Sequence, residues 1–173
     1  MDYTHHVRSP LGGITLASDG GSIIGLWFDD QKFFGGTLSE HHSERKLPIF
    51  EETERWLEIY FSGRIPDFTP KLCMRASAFR RAVWETMLAI PYGQTMTYGQ
   101  IAGRVAGESG QKRMSAQAVG GAVAHNAISL IIPCHRVVGA DGSLTGYAGG
   151  IDRKIRLLQL EQADMSSLFI PKG

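Results

Sequence analysis

The chain has 173 residues, of which 43% are hydrophobic and 20% charged, and its formal net charge is +1. This composition is ordinary for a soluble globular protein of one domain or two small ones. No apolar run approaches the roughly 18 residues of a membrane span, and the start, "MDYTHHVRSP", lacks the charged-then-apolar pattern of a secretory signal. We therefore expect a cytosolic protein without a membrane partner.

The charge is distributed unevenly along the chain. Residues 1–70 contain six Lys/Arg and eleven Asp/Glu, a net charge of −5, whereas residues 71–173 contain twelve and six, a net charge of +6. Such asymmetry indicates a polyanionic partner for the basic part. An acidic domain that pairs with a basic one is the alternative explanation.

The N-terminal part is predicted to combine a small sheet with one helix. Two β-branched or aromatic runs flank Asp19-Gly20-Gly21 within residues 14–28, which predicts a hairpin. Residues 50–63, "FEETERWLEIYFSG", have apolar residues near helical spacing and a terminal glycine, which predicts an amphipathic helix. The proline-containing segment "RIPDFTPKL" is typical of a linker, so we predict domains at residues 1–72 and 73–173.

The C-terminal part is predicted to be mostly helical. An apolar stripe over residues 77–90 predicts a first helix, and Thr97 with Gln100 has the S/T-x-x-E/Q spacing of a capping box at the start of a second helix. A glycine-containing turn, "AGESGQK" (residues 106–112), and a third helix over residues 114–126 would follow, as in a helix-turn-helix. The predicted fold is an α/β N-terminal domain, a small sheet plus a helix, followed by a mostly α, winged-helix-like C-terminal domain.

The third predicted helix is unusually rich in small residues, with six alanines and glycines between residues 116 and 124. Each glycine costs a helix about 1 kcal/mol relative to alanine, so something must approach the helix backbone closely. Either the helix packs tightly on its neighbours, or a nucleic-acid groove lies against it, because a minor groove roughly 6 Å wide leaves little room for bulky side chains. Composition alone leaves both explanations open.

The end of the chain is predicted to contain a strand, a loop and a last helix. Residues 135–138 have the composition of a strand, and Ala140-Asp141-Gly142 that of a turn. Tyr147 lies in the loop that follows. The last helix, "IDRKIRLLQLEQ", places Glu161 near the same face as its apolar residues.

The chain has two cysteines, Cys73 and Cys134. A cytosolic chain of this length does not need a disulfide, and no cysteine or histidine pairing has the spacing of a zinc site, so we predict no metal. Cys73 is expected to be an inert, buried thiol. Cys134 follows an apolar run and precedes His135, a base that could help its thiol to ionise, so either an inert thiol or a nucleophile is consistent with the residues themselves.

Three motifs carry a resemblance to a known family. "IPCHRV" (residues 132–137), with "QAVGGAV" upstream and "GSLTGYAGG" downstream, resembles the O6-alkylguanine-DNA alkyltransferases. The resemblance extends from about Phe79 to Glu161. The strand-then-helix pattern of the N-terminal part fits the small α/β domain of that family, in which many members bind zinc, although no cysteine cluster is present here.

The resemblance implies direct reversal of alkylation damage. The thiolate of Cys134 would attack the alkyl carbon on guanine O6 and keep the alkyl group as a thioether, so that each molecule acts once and needs no cofactor. His135 corresponds to the base that takes the thiol proton through a water, and Glu161 to the acid that orients this histidine. Tyr147 corresponds to the hydroxyl that stabilises the departing guanine anion, with a core tyrosine as the alternative.

The resemblance also implies how the guanine is bound. Backbone carbonyls of Cys134 and Val137 would accept hydrogen bonds from the exocyclic amine, and Asn126 would brace the active-site segment. Tyr98 corresponds to a tyrosine that crowds the phosphate of the target nucleotide. Ala148, directly after Tyr147, would open the wall of the pocket slightly.

The implied partner is double-stranded DNA that contains O6-alkylguanine. The target base is stacked in the duplex and must be flipped out at a cost of a few kcal/mol. The helix that contains Ser115, Ala116 and Gly120 corresponds to the recognition helix, which enters the minor groove. Candidate phosphate contacts, for which a solvated surface is the alternative, are Arg104, Lys112 and Arg113.

The chain departs from the family pattern at Gln117. Many members have an arginine at this position, directly before "AVGG", and it fills the space that the flipped base leaves. Glutamine can fill that space and form hydrogen bonds, but it brings no charge. Arg113 lies one helical turn earlier and would compensate.

Two other classes of function remain as alternatives. A non-catalytic, alkyltransferase-like sensor of O6-alkylguanine would share the fold, but such proteins usually replace the reactive cysteine. A winged-helix transcription regulator would use only the helix-turn-helix and the basic charge, and its binding would not depend on alkylation. We therefore predict a single-turnover DNA alkyltransferase that acts as a monomer.

Overall fold

The computed structural model describes residues 1–110 and 115–171. Contacts divide the chain into two compact units, Met1–Arg75 with Ala127–Ile131, and Ala76–Asn126 with the chain from Ile132 onward. The domain boundary expected between residues 72 and 73 stays a prediction. The short segment Ala127–Ile131, which belongs to the first unit, has no counterpart in that expectation.

The first unit consists of a four-stranded sheet and one helix. Its elements are β1 (Asp2–Ser9), β2 (Gly12–Ser18), β3 (Ile23–Phe28), β4 (His42–Glu44) and α1 (Pro48–Phe61). The sheet order is β3-β2-β1-β4, with β4 parallel to β1 and the other pairs antiparallel. The predicted hairpin of β2 and β3 is confirmed, because Asp19 Oδ1 accepts hydrogen bonds from the backbone N–H groups of Gly21 and Ser22 and closes the turn.

All six residues of β3 are buried, as in a strand covered on both faces. The predicted helix is confirmed as α1, whose Trp56, Leu57 and Tyr60 are buried. The segment Ala127–Ile131 pairs with β3, since Leu26 N donates to Ala127 O at 2.8 Å and Ser129 N donates to Leu26 O at 3.0 Å. The apolar residues shortly before Cys134, within Ala127–Ile131, therefore belong to the first unit.

The second unit is mostly helical, as predicted. Its elements are α2 (Ala78–Leu88), β5 (Met96–Thr97), α3 (Tyr98–Ser109), α4 (Ala116–Ala124), β6 (Val137–Val138) and α5 (Ile151–Leu160), with a 3₁₀ turn at Cys134–Arg136. The capping box is confirmed: Thr97 Oγ1 accepts from Gln100 N, and Gln100 Oε1 accepts from Thr97 N. The indole Nε1 of Trp84 donates to Ala122 O at 2.9 Å and joins α2 to α4.

Two local predictions in this unit are wrong. Residues 106–109 belong to α3, which ends only at Gly110 with a left-handed φ of 73°, so the predicted turn begins later; its residues 111 and 112 lie outside the described part of the chain. The predicted strand over residues 135–138 is shorter, because Cys134–Arg136 form the 3₁₀ turn and only Val137–Val138 pair, in parallel, with β5.

Candidate active site

The 3₁₀ turn positions Cys134 and His135. Pro133 O accepts a hydrogen bond from Arg136 N at 3.0 Å, and Cys134 O accepts one from Val137 N, so the turn is closed at both ends. In an extended strand, neighbouring side chains would point to opposite faces, but a turn removes that restriction. Cys134 is only 4% exposed and His135 is fully buried.

Cys134 lies among polar groups as well as apolar ones. Burial raises the pKa of Tyr98 and Tyr147, and the charge that the Cys134 thiolate would carry raises both further. The same charge opposes the lowering of the pKa of Lys154 by burial. The sulfur is therefore within electrostatic range of two hydroxyls and an ammonium.

His135 and Glu161 form a buried pair. Glu161 is the residue directly after α5, and its Oε2 lies 2.5 Å from His135 Nε2. Because an ionised carboxylate only accepts hydrogen bonds, Nε2 must carry the hydrogen, which makes Nδ1 the basic nitrogen of the neutral imidazole. Burial lowers the pKa of His135, against the opposing effect of Glu161, so the imidazole is neutral at rest and can accept a proton.

Glu161 has further partners besides His135. Arg136 Nε donates to Oε1 at 2.8 Å and Arg136 Nη2 donates to Oε2 at 3.1 Å, while Gly93 N donates to Oε1 at 2.9 Å. Burial by itself would raise the pKa of Glu161, but His135 and Arg136 outweigh it and hold that pKa well below its ordinary value. Glu161 is therefore a fixed negative charge.

Tyr147 lies beside His135, with the two rings edge to face and their centroids 6.5 Å apart. Its hydroxyl is buried and has no hydrogen-bond partner in the described part of the chain. The hydroxyl of a buried tyrosine with only a packing role usually forms a hydrogen bond within the protein. The geometry of Tyr147 therefore favours a hydroxyl that forms its hydrogen bond with a bound substrate. Gly149 makes room for the ring, because a Cβ there would lie 2.5 Å from Tyr147 Cε2.

Tyr98 belongs to the same group of residues. Its hydroxyl donates to Thr145 O at 3.1 Å, and a Cβ at Gly146, where φ is +74°, would lie 2.8 Å from that hydroxyl. Gly146 thus allows the loop that carries Tyr147 to approach Tyr98. Ala148 is half-buried in the turn that Gly150 N closes by donating to Tyr147 O at 3.0 Å.

Hydrogen bonds fix the backbone on both sides of Cys134. Asn126 Nδ2 donates to Ile132 O at 2.7 Å, two residues before the cysteine. The carbonyl oxygens of Cys134 and Val137 already accept bonds from Val137 N and Lys154 Nζ, respectively.

The sequence reasoning missed two residues, Lys154 and Arg136. Lys154 is fully buried, and its Nζ donates to Val137 O at 2.5 Å and to Thr145 O at 3.0 Å, so it joins the residue after the 3₁₀ turn to the loop of Tyr147. Burial lowers the pKa of Lys154 to about 8. A lysine three residues after Ile151 and four before Leu158, both on the apolar face of α5, is the pattern that could have identified it.

The start of α4 presents an open surface. Ser115, whose hydroxyl accepts from Ala118 N at 3.2 Å and caps the helix, is exposed, as are Ala116 and Gln117. A Cβ at Gly120 or Gly121 would have no described neighbour within 4 Å. Tight packing of these two glycines is therefore wrong among the described residues, and a face that an outside molecule can approach is favoured.

The predicted phosphate contacts are only partly described. Arg104 is exposed on α3, as a phosphate contact requires. Lys112 and Arg113 lie outside the described residues, and with them the proposed compensation of Gln117 by Arg113. The structure thus brings the catalytic and guanine-binding candidates together in the second unit, and leaves two of the DNA-binding candidates without a position.

Comparisons with known proteins identify the family. The model of the 6-O-methylguanine DNA methyltransferase DNA binding domain matches residues 78–163, and that of the ribonuclease-like domain of the same proteins matches residues 3–72. The chain is 41% identical to the methylated-DNA--protein-cysteine methyltransferase of Mycobacterium bovis, over 94% of each chain. It belongs to the 6-O-methylguanine DNA methyltransferase family.

Other relatives in this family agree. The methylated-DNA--protein-cysteine methyltransferase of Haemophilus influenzae is 38% identical over 99% of this chain and 89% of its own length. The structure of Mycobacterium tuberculosis OGT in complex with DNA matches with a TM-score of 0.81 and 38% identity over 92% of each chain. The resemblance and the fold class predicted from the sequence are confirmed, and the sensor and regulator alternatives are not favoured.

The structure also bears on metals, disulfides and membranes. Within residues 1–110 and 115–171, no group of three or more His, Cys, Asp or Glu side chains could hold a metal ion. Neither Cys73 nor Cys134 takes part in a disulfide, and Cys73 is half-buried rather than buried as expected. None of the helices in the described residues is long and apolar enough to span a bilayer.

Proposed function

We propose that this protein repairs DNA by transferring a methyl or other alkyl group from O6 of guanine to Cys134, once per molecule. The observation that carries the proposal is the buried His135–Glu161 pair, which begins at the residue next to the cysteine. A neutral imidazole backed by a fixed carboxylate is the arrangement that turns a neighbouring thiol into a thiolate. Family membership and the relatives' printed activity support the same reaction.

The chemistry of the transfer balances without a cofactor. The S–H bond of Cys134 breaks, and its proton passes to His135 Nδ1, directly or through a water. The sulfur electron pair then forms the bond to the alkyl carbon, while the pair of the C–O6 bond stays on guanine as an anion. The Tyr147 hydroxyl, which has no partner among the described residues, would donate a hydrogen bond to O6 and stabilise that anion.

We further propose that the guanine reaches the site as a flipped nucleotide from double-stranded DNA. The exposed start of α4, with Ser115 and Ala116, and the half-buried Gly120 within the helix would face the minor groove, and Gln117 would occupy the space that the base leaves. Tyr98 would lie against the phosphate of the target nucleotide. Arg104, with Lys112 and Arg113, would bind other phosphates, consistent with the net charge of +6 on residues 71–173.

The remaining contacts of the guanine follow from the site. Carbonyl oxygens of Cys134 and Val137 would accept from the exocyclic amine, and Ala148 would leave a small gap in the pocket wall. Asn126 would keep the segment before Cys134 in place through its bond to Ile132 O. We also propose that the protein acts as a monomer in the cytosol, where its two thiols stay reduced.

The experiment that tests this function is a mass measurement. We expect incubation with a duplex that contains O6-methylguanine to add one methyl group to the tryptic peptide that contains Cys134. The variant Cys134→Ala should still bind the duplex but accept no methyl group, and Cys73→Ala should behave as the wild type. An unmodified Cys134 peptide together with intact DNA binding would favour the non-catalytic sensor.

A further inference from the structure

Arg136 forms a two-point contact with Glu161, the carboxylate that also binds His135. Two of its nitrogens bind the two carboxylate oxygens, at 2.8 and 3.1 Å, in the parallel geometry that suits a guanidinium. The third, Nη1, donates to Ile90 O at 2.7 Å, and the guanidinium lies over the ring of Tyr92 at 5.7 Å. Only 8% of Arg136 is exposed, so the charge is fixed in place and poorly screened by water.

The contact between Arg136 and Glu161 affects the charge that surrounds His135. The positive guanidinium of Arg136 and the Glu161 carboxylate together form a pair with no net charge. A proton on His135 at rest would place two cations on one carboxylate inside the protein. After burial and the opposing effect of Glu161, the charges of Arg136 and Lys154 lower the pKa of His135 further.

Other titratable groups near His135 either leave this balance unchanged or shift it in the same direction as Arg136. Cys134 precedes it in the chain, and Tyr147 packs against its ring edge to face. Neither carries a charge while it holds its proton, and burial raises the pKa of Tyr147. Lys154, from α5, adds positive charge, which also disfavours a protonated imidazole before the thiol ionises.

We propose that Arg136 is a positioning residue that makes His135, rather than Glu161 or the solvent, the final acceptor of the Cys134 proton. The charge of Arg136 adds to burial in keeping His135 neutral before the reaction, and with His135 it keeps Glu161 ionised, so that the proton leaves sulfur and stays on His135. The inference rests on the proposed alkyl transfer. Because the proton is already within the site, formation of the thiolate requires no exchange with solvent.

The dependence of the transfer rate on pH tests this role. Single-turnover rates are measured from pH 5.5 to 9 with a saturating duplex that contains one O6-methylguanine. Arg136→Gln removes a positive charge that disfavours the imidazolium, so we expect His135 to keep its proton to a higher pH than in the wild type and to accept the thiol proton less readily. The acid limb is the part of the pH–rate curve where the rate falls as the pH decreases. We expect the midpoint of this limb to lie about one pH unit higher in Arg136→Gln than in the wild type. Transfer by the variant should then be about tenfold slower near pH 6, with a much smaller change near pH 8.5.

Two further variants separate charge from structure. Arg136→Lys keeps the positive charge and should keep the wild-type limb, even if it is less stable. Arg81→Gln, at an exposed arginine of α2, should follow the wild-type profile. A uniform loss of rate in Arg136→Gln without a shift, or the same shift in both Arg136 variants, would show that Arg136 does not act through its charge.

A second measurement needs neither activity nor a substitution. In the wild-type protein at pH 7, ¹⁵N spectra of the His135 imidazole should show a neutral ring with its hydrogen on Nε2. A doubly protonated ring overturns the inference, whether or not Arg136→Gln folds. If the wild type transfers no methyl group, the proposed function itself is wrong, whereas normal transfer with an unshifted limb refutes only the role of Arg136.

Discussion

Each compact unit buries one carboxylate against an arginine. In the first unit, Arg75 Nη1 and Nη2 donate to the two oxygens of Asp2 at 2.7 and 2.9 Å, and Ser39 N donates to the same carboxylate at 2.9 Å. In the second unit, Arg136 binds Glu161 in the same two-point manner, but the carboxylate is also bonded to His135. The Asp2–Arg75 pair joins the two ends of the Met1–Arg75 segment, whereas the Glu161–Arg136 pair also fixes His135, the residue after Cys134.

The two units also differ in how they treat ionisable groups. The first unit leaves its His6–Asp29 pair about half exposed, where water reduces the cost of charge. The second unit buries four titratable side chains next to one another: His135, Arg136, Lys154 and Glu161. Burial of an ion costs several kcal/mol even after relaxation of the protein, so a cluster of this kind is weak evidence for stability and is typical of functional sites.

The substitution Glu161→Gln should have the largest effect, on activity. The amide cannot stabilise an imidazolium, so we expect methyl transfer to slow by about 100-fold or more, which single-turnover kinetics would measure. Removal of the carboxylate also leaves Arg136 without its counter-charge, at a cost of about 3–5 kcal/mol in the free energy of unfolding. A folded Glu161→Gln protein with a wild-type rate would show that the Glu161–Arg136 pair, like the Asp2–Arg75 pair, has only a structural role.

The substitution Lys154→Met should change the pH dependence of stability. The pKa of Lys154 is lowered from 10.5 to about 8, so between these pH values the unfolded chain holds a proton that the folded protein has released. Stability of the wild type relative to Lys154→Met should therefore rise with pH across this window, by about 2–3 kcal/mol in urea unfolding. The control Lys71→Met, at an exposed lysine, should leave the slope unchanged.

The substitution Asp2→Asn is the matched test in the first unit. The hydrogen bond from Arg75 lowers the pKa of Asp2, so the stabilisation is present above about pH 4 and is lost as the pH falls through the lowered pKa. We expect a loss of about 1–2 kcal/mol at pH 7, since Arg75 is about one third exposed and partly screened. The difference from wild type should narrow in acid, and a changed rate of methyl transfer would contradict a purely structural role.

The smallest effect is expected from Gln117→Arg on the exposed start of α4. In the proposed DNA complex, an arginine would add charge and bulk where the flipped base would leave a space, so transfer from duplex DNA should speed up a few-fold, as expected for about 1 kcal/mol of added stabilisation. Transfer from the free alkylated base requires no flipping and serves as the control. An equal increase with both substrates would show that Gln117 has no part in flipping.

The elements that sequence predicted well depend on residues close together in the chain. Thr97 and Gln100 are three residues apart, and Asp19 closes its hairpin with the next few residues, so composition and spacing were sufficient for both. The end of α3 was placed too early, because a run with two glycines and a serine resembles a turn although Gly107 is tolerated within the helix. The 3₁₀ turn at Cys134 was missed because a short β-branched run also predicts a strand.

The sequence by itself determined the two-part organisation, most of the helices and, through its motifs, the candidates Cys134, His135, Tyr147 and Glu161. The family resemblance implied that Glu161 orients His135 across 26 residues, and only the tertiary structure decided that Arg136 shares the same carboxylate and that Lys154 bridges two backbone carbonyls. The physical reason is that propensity and capping act within a few residues, whereas the environment of a buried charge is set by distant segments that meet only when the chain folds.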